Sequence, residues 1–225
     1  MPQTFDSLKT LLHSKERFLI LMGLMMALLV LGPILEQFVT IHKLIDVFLT
    51  AIILSMLYTI TYKKRVFYFG WSLAIIMLLS VWLKYFISYD LFAPVSMMAG
   101  AFFTLLVTSQ TVQFITRSKT VTREVVYAAM LVYFLLAQLW AMVYTLLDRI
   151  NSASFDLHAG QGDFLLFEYY SFVTLTTLGY GDITPLTKVA KAFSVLEAVV
   201  GQLYLVVVAW FVGMLVARKS ENMKE

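Results

Sequence analysis

Residues 174–185 read TLTTLGYGDITP, a polar stretch with two glycines in a chain that is otherwise strongly apolar. The apolar segment that leads into it, 164–175, has only about a dozen residues, which is too short to cross a bilayer. Non-helical backbone at membrane depth is tolerated only where it is buried in protein or lines water. The sequence therefore predicts a re-entrant helix followed by a loop that lines a polar path.

The composition indicates a membrane protein. Of the 225 residues, 60% are hydrophobic and 14% are charged, and the mean hydropathy is +0.83. Soluble domains of this length are far more polar. Cysteine is absent, which excludes disulfides, a thiolate nucleophile and a cysteine metal site. No carboxylate pair, Ser–His set or metal cluster falls on a common face, so we do not expect an enzyme.

Six apolar runs are long enough to be considered as membrane spans. They cover approximately 18–35, 44–62, 66–87, 92–115, 125–147 and 189–217. With six spans both termini lie on one side, and 12 of the 17 lysines and arginines fall on that side. The positive-inside rule then places both termini in the cytoplasm, in a cell (plasma or inner) membrane. This topology accounts for the basic surplus, so no nucleic-acid partner is expected.

The backbone of 176–182 has the properties of a cation path. Gly179 and Gly181 can adopt backbone angles that are forbidden to other residues, so successive carbonyl oxygens can point the same way. Four such loops around an axis would stack rings of carbonyl oxygens that replace the water around a cation. Thr177 would add a ring of hydroxyls, and the preceding helix would point its negative C-terminal end toward the centre.

The segment TTLGYGD, 176–182, resembles the selectivity-filter signature of the potassium channel family. The resemblance is specific over about 169–213, and before residue 125 it rests only on the number of spans. It implies a homotetramer in the lipid bilayer that conducts K⁺ passively, with K⁺ as the permeant ion and no cofactor. It implies K⁺ sites at Thr177, Leu178, Gly179 and Tyr180. The residues that it assigns to the filter mouth and its support are Thr176, Gly181, Asp182, Tyr169 and Tyr170.

Two residues depart from the family's pattern. Leu178 replaces the usual valine or isoleucine; because its carbonyl would bind the ion, we expect selectivity to survive. Its side chain should face backward, where its shape would alter the packing behind the filter. Val173 stands where many channels have a glutamate that pairs with the aspartate of the mouth. We therefore expect Asp182 to lack that partner and filter inactivation to change.

The last apolar run contains the candidate gating residues. The family commonly has a hinge glycine in the inner helix, and Gly201 lies 20 residues after Gly181, which is similar to that spacing. Glu197 lies one turn earlier, and an ionisable group at depth is a functional hypothesis by default. We interpret it as a structural tether to the pore helix or as a proton-sensitive gate. The candidates for the cavity and gate are Gln202, Leu205, Ala209, Trp210 and Gly213, with Trp210 facing lipid as the alternative.

Six spans with the filter between the last two is the layout of voltage-gated channels, in which the fourth span contains repeated arginines. Here the fourth span contains no lysine or arginine, and Arg117 follows its inner end. Steep voltage dependence needs several charges per subunit, so we predict a channel without a conventional voltage sensor. The gating stimulus stays open among lipid, pH, membrane tension and an unidentified regulatory subunit or ligand.

The expected fold class is an all-α membrane protein with six transmembrane helices, a re-entrant pore helix and a filter loop, assembled as a tetrameric pore. The expected domains are a cytoplasmic N-terminal segment at 1–17, interfacial or frayed; a four-helix membrane domain without a charged fourth helix at 18–120; a pore domain at 121–217; and a cytoplasmic tail at 218–225. The predicted function is a potassium-selective channel. The alternatives are a cation channel of relaxed selectivity and a secondary cation transporter, which would normally show two related broken segments rather than one.

Overall fold

The computed structural model describes residues 16–36, 42–59, 64–83, 93–157 and 162–221, most of which are helical. Five helices precede the filter region: α1 Arg17–Glu36, α2 His42–Thr59, α3 Lys64–Leu83, α4 Ala93–Arg117 and α5 Arg123–Ile150. They are followed by β1 Phe155–Asp156, α6 Phe164–Leu175, β2 Thr184–Pro185 and α7 Lys188–Glu221. Nearly all of the predicted N-terminal segment 1–17 and the end of the predicted tail 218–225 lie outside the described residues.

The apolar helices make this a multi-pass membrane protein. Within the described residues, four helical stretches are long and apolar enough to cross a membrane: Val66–Leu83, Pro94–Arg117, Arg123–Ile150 and Lys188–Ala217. Three apolar stretches are shorter: Arg17–Gly32, Leu44–Thr59 and Phe164–Leu175. The count of six spans therefore stays a prediction. The short helix α6 has the bounds expected for a re-entrant segment.

The first five helices form a bundle with a continuous apolar core. Consecutive helices pack on one another, α1 also packs on α5, and α2 also packs on α4. Phe18, Met25, Phe103 and Leu131 are almost completely buried where these helices meet. The bundle contacts α6, the predicted pore helix, mainly through α5. α1 also contacts it, and a Cβ at Gly32 of α1 would lie 3.2 Å from Leu165 Cδ1.

A short antiparallel strand pair departs from the purely helical expectation. Phe155 of β1 pairs with Pro185 of β2, and the Leu186 amide donates to the Ser154 carbonyl at 2.8 Å. The pair joins the chain that leads into the pore helix to the chain that leaves the filter. Strands of two residues have no periodicity from which a sequence reading could find them.

Candidate functional site

The pore helix α6 begins at a capping aspartate and ends at the filter. The Asp163 side chain accepts a hydrogen bond from the Leu166 amide at 2.7 Å, which satisfies one free donor of the first turn. A carboxylate at this end also complements the positive end of the helix dipole. The helix ends at Leu175, directly before the TTLGYGD segment. Its negative end therefore adjoins the filter, as the sequence predicted.

The filter backbone alternates in handedness. Thr177 has φ = 60°, Gly179 has φ = 59° and Gly181 has φ = 79°, and these are the positive-φ residues of the described chain. Positive φ is accessible to glycine without steric cost, whereas a threonine there is strained by about 1–3 kcal/mol. Every second residue from 177 to 181 thus takes the left-handed conformation, which an ordinary strand does not show.

The amides at the start of the filter all point back to the pore helix. The Thr177 amide donates to the Thr174 carbonyl at 3.0 Å. The amides of Leu178 and Gly179 donate to the Val173 carbonyl at 2.9 and 3.4 Å. All peptide bonds of the described chain are trans, so each of these N–H groups is opposed by the carbonyl of the residue before it.

It follows that the carbonyls of Thr176, Thr177 and Leu178 point together, away from the pore helix. A row of carbonyl oxygens on one side of a loop is the arrangement that can replace the hydration shell of a cation. The carbonyls are oriented in this way because three amides donate to two carbonyls at the end of the pore helix. The sequence suggested the direction of the carbonyls from the two glycines but did not reveal these hydrogen bonds.

The filter is uncovered in the single chain. Leu178 is 59% exposed and Tyr180 is 67% exposed, and all residues from Thr176 to Asp182 are exposed. We expected the Leu178 side chain to pack behind the filter. Among the described residues of one chain it does not.

The C-terminal part of the chain matches a known family. Residues 121–218 match a family model described as an ion channel. These residues form an ion channel domain. The match covers α5, the pore helix, the filter and most of α7, and it supports the resemblance to the potassium channel family over this part of the chain. The domain indicates passive ion channel activity rather than an enzyme. No curated protein and no solved structure matches the chain.

The mouth of the ion channel domain has a partner for its aspartate that we did not expect. The Tyr169 hydroxyl donates to Asp182 Oδ2 at 2.7 Å. The neighbouring Tyr170 hydroxyl shares a hydrogen bond of 2.7 Å with Ser194 Oγ of α7. Although position 173 is a valine rather than a glutamate, Asp182 is still bonded to the pore helix, through Tyr169. The support role predicted for Tyr169 and Tyr170 stays a prediction.

Tyr169→Phe tests whether the mouth depends on this hydrogen bond. The change removes only the hydroxyl, so we expect it to lower the free energy of unfolding by about 0.5–1 kcal/mol, because the pair is exposed to water. Asp182→Asn should have a similar effect. The double variant should lose no more free energy of unfolding than one of the single variants. Thermal denaturation of the purified channel measures each value. Tyr68→Phe, at an exposed tyrosine on α3, is the control, and full additivity of the two mouth variants would contradict the coupling.

Glu197 joins three elements of the ion channel domain. Its side chain is completely buried. Its Oε2 accepts a hydrogen bond from the Tyr144 hydroxyl of α5 at 2.5 Å, and its Oε1 contacts Ser171 Oγ of the pore helix. Glu197 itself belongs to α7. The structure thus places the carboxyl against the back of the pore helix, between the outer and inner helices. The sequence did not identify Tyr144 or Ser171 as its partners.

The Ser171 hydroxyl contacts two acceptors but has one proton. Its Oγ lies 2.8 Å from the Ala137 carbonyl and also bonds Glu197 Oε1. Ser171 therefore donates its proton to one of these acceptors or shares it between them. Glu197 accepts from both Ser171 and Tyr144.

An aromatic cluster supports this network from outside. Phe155 of β1 is buried, and its ring centroid lies 5.6 Å from that of Tyr144, 5.0 Å from that of Phe167 and 5.6 Å from that of Tyr170. These edge-to-face contacts stabilise the position of the pore helix against α5. Phe155 follows a polar loop, where no periodic pattern indicated that it belonged to the site.

Gly201 is a point of close contact between α7 and the base of the filter. A Cβ at this position would lie 2.8 Å from both the carbonyl oxygen and Cδ1 of Leu175. The same carbonyl accepts a hydrogen bond from the Tyr133 hydroxyl at 3.0 Å. α7 continues as a helix through Gly201. Its hinge role stays a prediction, whereas the need for a residue without a side chain is explained by this contact.

We expect Gly201→Ala to lower the free energy of unfolding by about 1–3 kcal/mol, because a backbone carbonyl cannot move aside as a flexible side chain can. Gly213→Ala is a matched control on the same helix, because nothing lies within 4 Å of its Cβ position. That control should leave stability unchanged or raise it by up to about 1 kcal/mol through helix propensity. Chemical denaturation of both variants measures the difference, and equal effects would contradict the close-contact explanation.

The predicted gate residues lie on the uncovered side of α7. The buried positions of this helix recur at helical spacing; they are Ala190, Ser194, Glu197, Gly201 and Leu215. Every candidate for the cavity and gate is exposed in the single chain: Gln202, Leu205, Ala209, Trp210 and Gly213. This placement separates them from the tethered face, but a pore-facing and a lipid-facing orientation are equally compatible with exposure.

Proposed function

We propose that the chain assembles as a homotetrameric, potassium-selective channel in a cell membrane, with both termini in the cytoplasm. The observation that supports this proposal most directly is the row of carbonyls at Thr176, Thr177 and Leu178, held by the amides that point back to the pore helix. Four such rows around an axis would bind dehydrated K⁺ at Thr177 and Leu178. Further sites at Gly179 and Tyr180 are proposed from the resemblance, and neighbouring ions in this file would displace one another.

The uncovered surface of the ion channel domain supports assembly. In an apolar 18-residue window of α7, 11% of the residues are buried within the chain, the same share as in α3 and far below the 56% of α5. The exposed part of α7 includes the polar Gln202 next to large apolar residues. A polar side chain at this depth favours contact with water or protein over contact with lipid. Neighbouring copies around a water-filled cavity would cover both this helix and the filter.

The four helices before the pore are proposed to lack a conventional voltage sensor. The basic residue of α4 is Arg117, in its last turn. Because no other lysine or arginine lies along α4, a change in the transmembrane potential would do little electrical work on this helix. A channel open probability that rises steeply with voltage would contradict this proposal.

A reversal-potential measurement tests the proposed function. The purified chain is reconstituted in planar bilayers with KCl on one side and NaCl on the other. We expect the reversal potential to lie near the potassium equilibrium value. A value near zero would indicate the alternative of relaxed cation selectivity, for which the exposed Leu178 is the specific reason. Cation flux that stops without a coupled second ion would indicate a secondary transporter. Light scattering of the same sample measures the number of subunits.

The gate is proposed at Leu205 or Trp210 on the exposed side of α7. A bulky apolar side chain that narrows a pore can block ions by excluding water. Leu205→Ala should raise the open probability if Leu205 lines the closed pore, and Trp210→Ala should then have little effect because Trp210 faces lipid. The reverse result would assign the gate to Trp210, and no effect of either change would place the gate elsewhere.

A further inference from the structure

A cavity that is open on one side lies outside the proposed ion path, among the helices that precede the pore. It has a volume of about 160 Å³ and is bounded by α2, α3, α4, α5 and the first residue of α6. Most of its wall is apolar and includes Leu49, Ile53, Met77, Met97, Met142 and Phe164. An engineered apolar cavity of similar volume, about 150 Å³, binds benzene in another protein. The cavity is therefore large enough for one small ring or a short branched chain.

The polar side chains that line the cavity include those of Asp46, Ser80, Ser96 and Gln138. Gln138 is 96% buried, and its Oε1 has no hydrogen-bond partner among the described residues. Asp46 is 1% exposed, lines the same cavity and already takes part in another interaction, to which a ligand would add. Ser80 uses its hydroxyl proton on the Ile76 carbonyl at 2.8 Å, which leaves its oxygen to accept. Because buried polar atoms are nearly always paired, the Gln138 oxygen calls for a donor that the described chain does not supply.

The wall can adjust to the shape of a guest. A Cβ at Gly100 would lie 3.0 Å from Met142 Cε and 3.3 Å from Met77 Cε, so these two side chains end on the bare backbone of α4. Methionine is flexible and polarisable, which suits a surface that must fit an irregular apolar body. Because position 100 has no side chain, the two methionine ends occupy the space that a Cβ would take.

We propose that this cavity binds a small organic ammonium ion with an apolar body. The N–H group would donate to Gln138 Oε1, and its positive charge would be stabilised by the Asp46 carboxyl. The apolar body would lie against the leucine, isoleucine and methionine side chains. Phe164 begins the pore helix, so a bound ligand would contact the element that positions the filter. This binding site is independent of the proposed potassium selectivity.

Three probes of nearly equal shape test the chemistry on the unmodified chain: benzylamine, benzyl alcohol and toluene. Binding to the channel in lipid nanodiscs is measured by calorimetry, with empty nanodiscs to subtract partition into lipid. We expect benzylamine to bind about tenfold or more tightly than toluene, because toluene leaves the buried acceptor unpaired, and benzyl alcohol to lie between them. Toluene binding as tightly as benzylamine, or no saturable binding of any probe, would overturn the proposal.

Two variants assign the contacts. Gln138→Met keeps the length of the side chain but removes the acceptor, and it should reduce the affinity for benzylamine about tenfold while leaving that for toluene unchanged. Asp46→Asn should remove the preference for benzylamine over benzyl alcohol. Gln113→Met, at an exposed glutamine farther along α4, is the matched control and should change nothing. If Gln138→Met does not fold, the three probes and the Asp46→Asn variant still test the proposal. An unchanged preference for benzylamine over benzyl alcohol in Asp46→Asn would contradict an ammonium ligand. None of these readouts depends on ion conduction.

Discussion

Gly179→Ala is expected to abolish potassium selectivity while leaving the chain folded. Gly179 has φ = 59°, and nothing lies within 4 Å of its Cβ position in the single chain. The effect therefore arises from the backbone rather than from a clash: an L-residue in the left-handed region is disfavoured by about 1–2 kcal/mol. In a tetramer this strain would occur four times in one filter. Rotation of one peptide out of line would relieve it, and would remove a carbonyl from the ion path.

The measurement for Gly179→Ala is the reversal potential between KCl and NaCl, which should move toward zero or be lost with the current. Gly23→Ala in α1 is the matched control, because it also has nothing within 4 Å of its Cβ position and is not among the positive-φ residues. It should keep the potassium reversal potential of the unmodified chain. A Gly179→Ala channel that keeps that potential would contradict the assignment of the filter.

Glu197→Ala is expected to lower the free energy of unfolding by about 2–4 kcal/mol. The change leaves the buried Tyr144 hydroxyl without its partner and opens a void where α5, α6 and α7 meet. Glu197→Gln should lose less than about 1 kcal/mol, because an amide can donate to Ser171 and accept from Tyr144. Denaturation of the purified channel measures both variants.

The same pair separates the two roles proposed for Glu197. As a structural tether, Glu197 can be replaced by glutamine without changing the dependence of open probability on pH. If Glu197 is a proton-sensitive gate, Glu197→Gln would remove the dependence of open probability on pH. Its described hydrogen-bond partners are the hydroxyls of Tyr144 and Ser171, and the tyrosines Tyr133 and Tyr170 also lie near it. Equal loss of stability in the alanine and glutamine variants would contradict the tether.

The local features of the pore were predictable because they are encoded locally. A run of a dozen apolar residues between a capping aspartate and a polar glycine segment defines α6, and its bounds agree with the prediction. The positive φ of Gly179 and Gly181 follows from their residue type. Helix ends were less predictable: the run 189–217 lies within the longer α7, Lys188–Glu221, because the polar residues that follow are good helix formers.

The contacts that hold the pore together were not predictable, because their partners are far apart in the chain. Tyr144 and Glu197 are separated by 53 residues, and Ser171 and Glu197 by 26. A single sequence does not indicate which hydroxyl reaches a buried carboxyl. The Asp182 partner was missed for a different reason: the expectation considered only the position of Val173, whereas Tyr169, one helical turn earlier, supplies the hydrogen bond.

The exposure of the filter in the single chain has a genetic consequence. If the conducting site is completed only when four loops meet, each subunit contributes one wall of a shared structure. A defective copy, such as one with Gly179→Ala, would then be incorporated beside intact copies and would spoil the assemblies that it enters. Such an allele would behave as dominant over the intact one when both are expressed in one cell. An allele that prevents the chain from folding would be recessive.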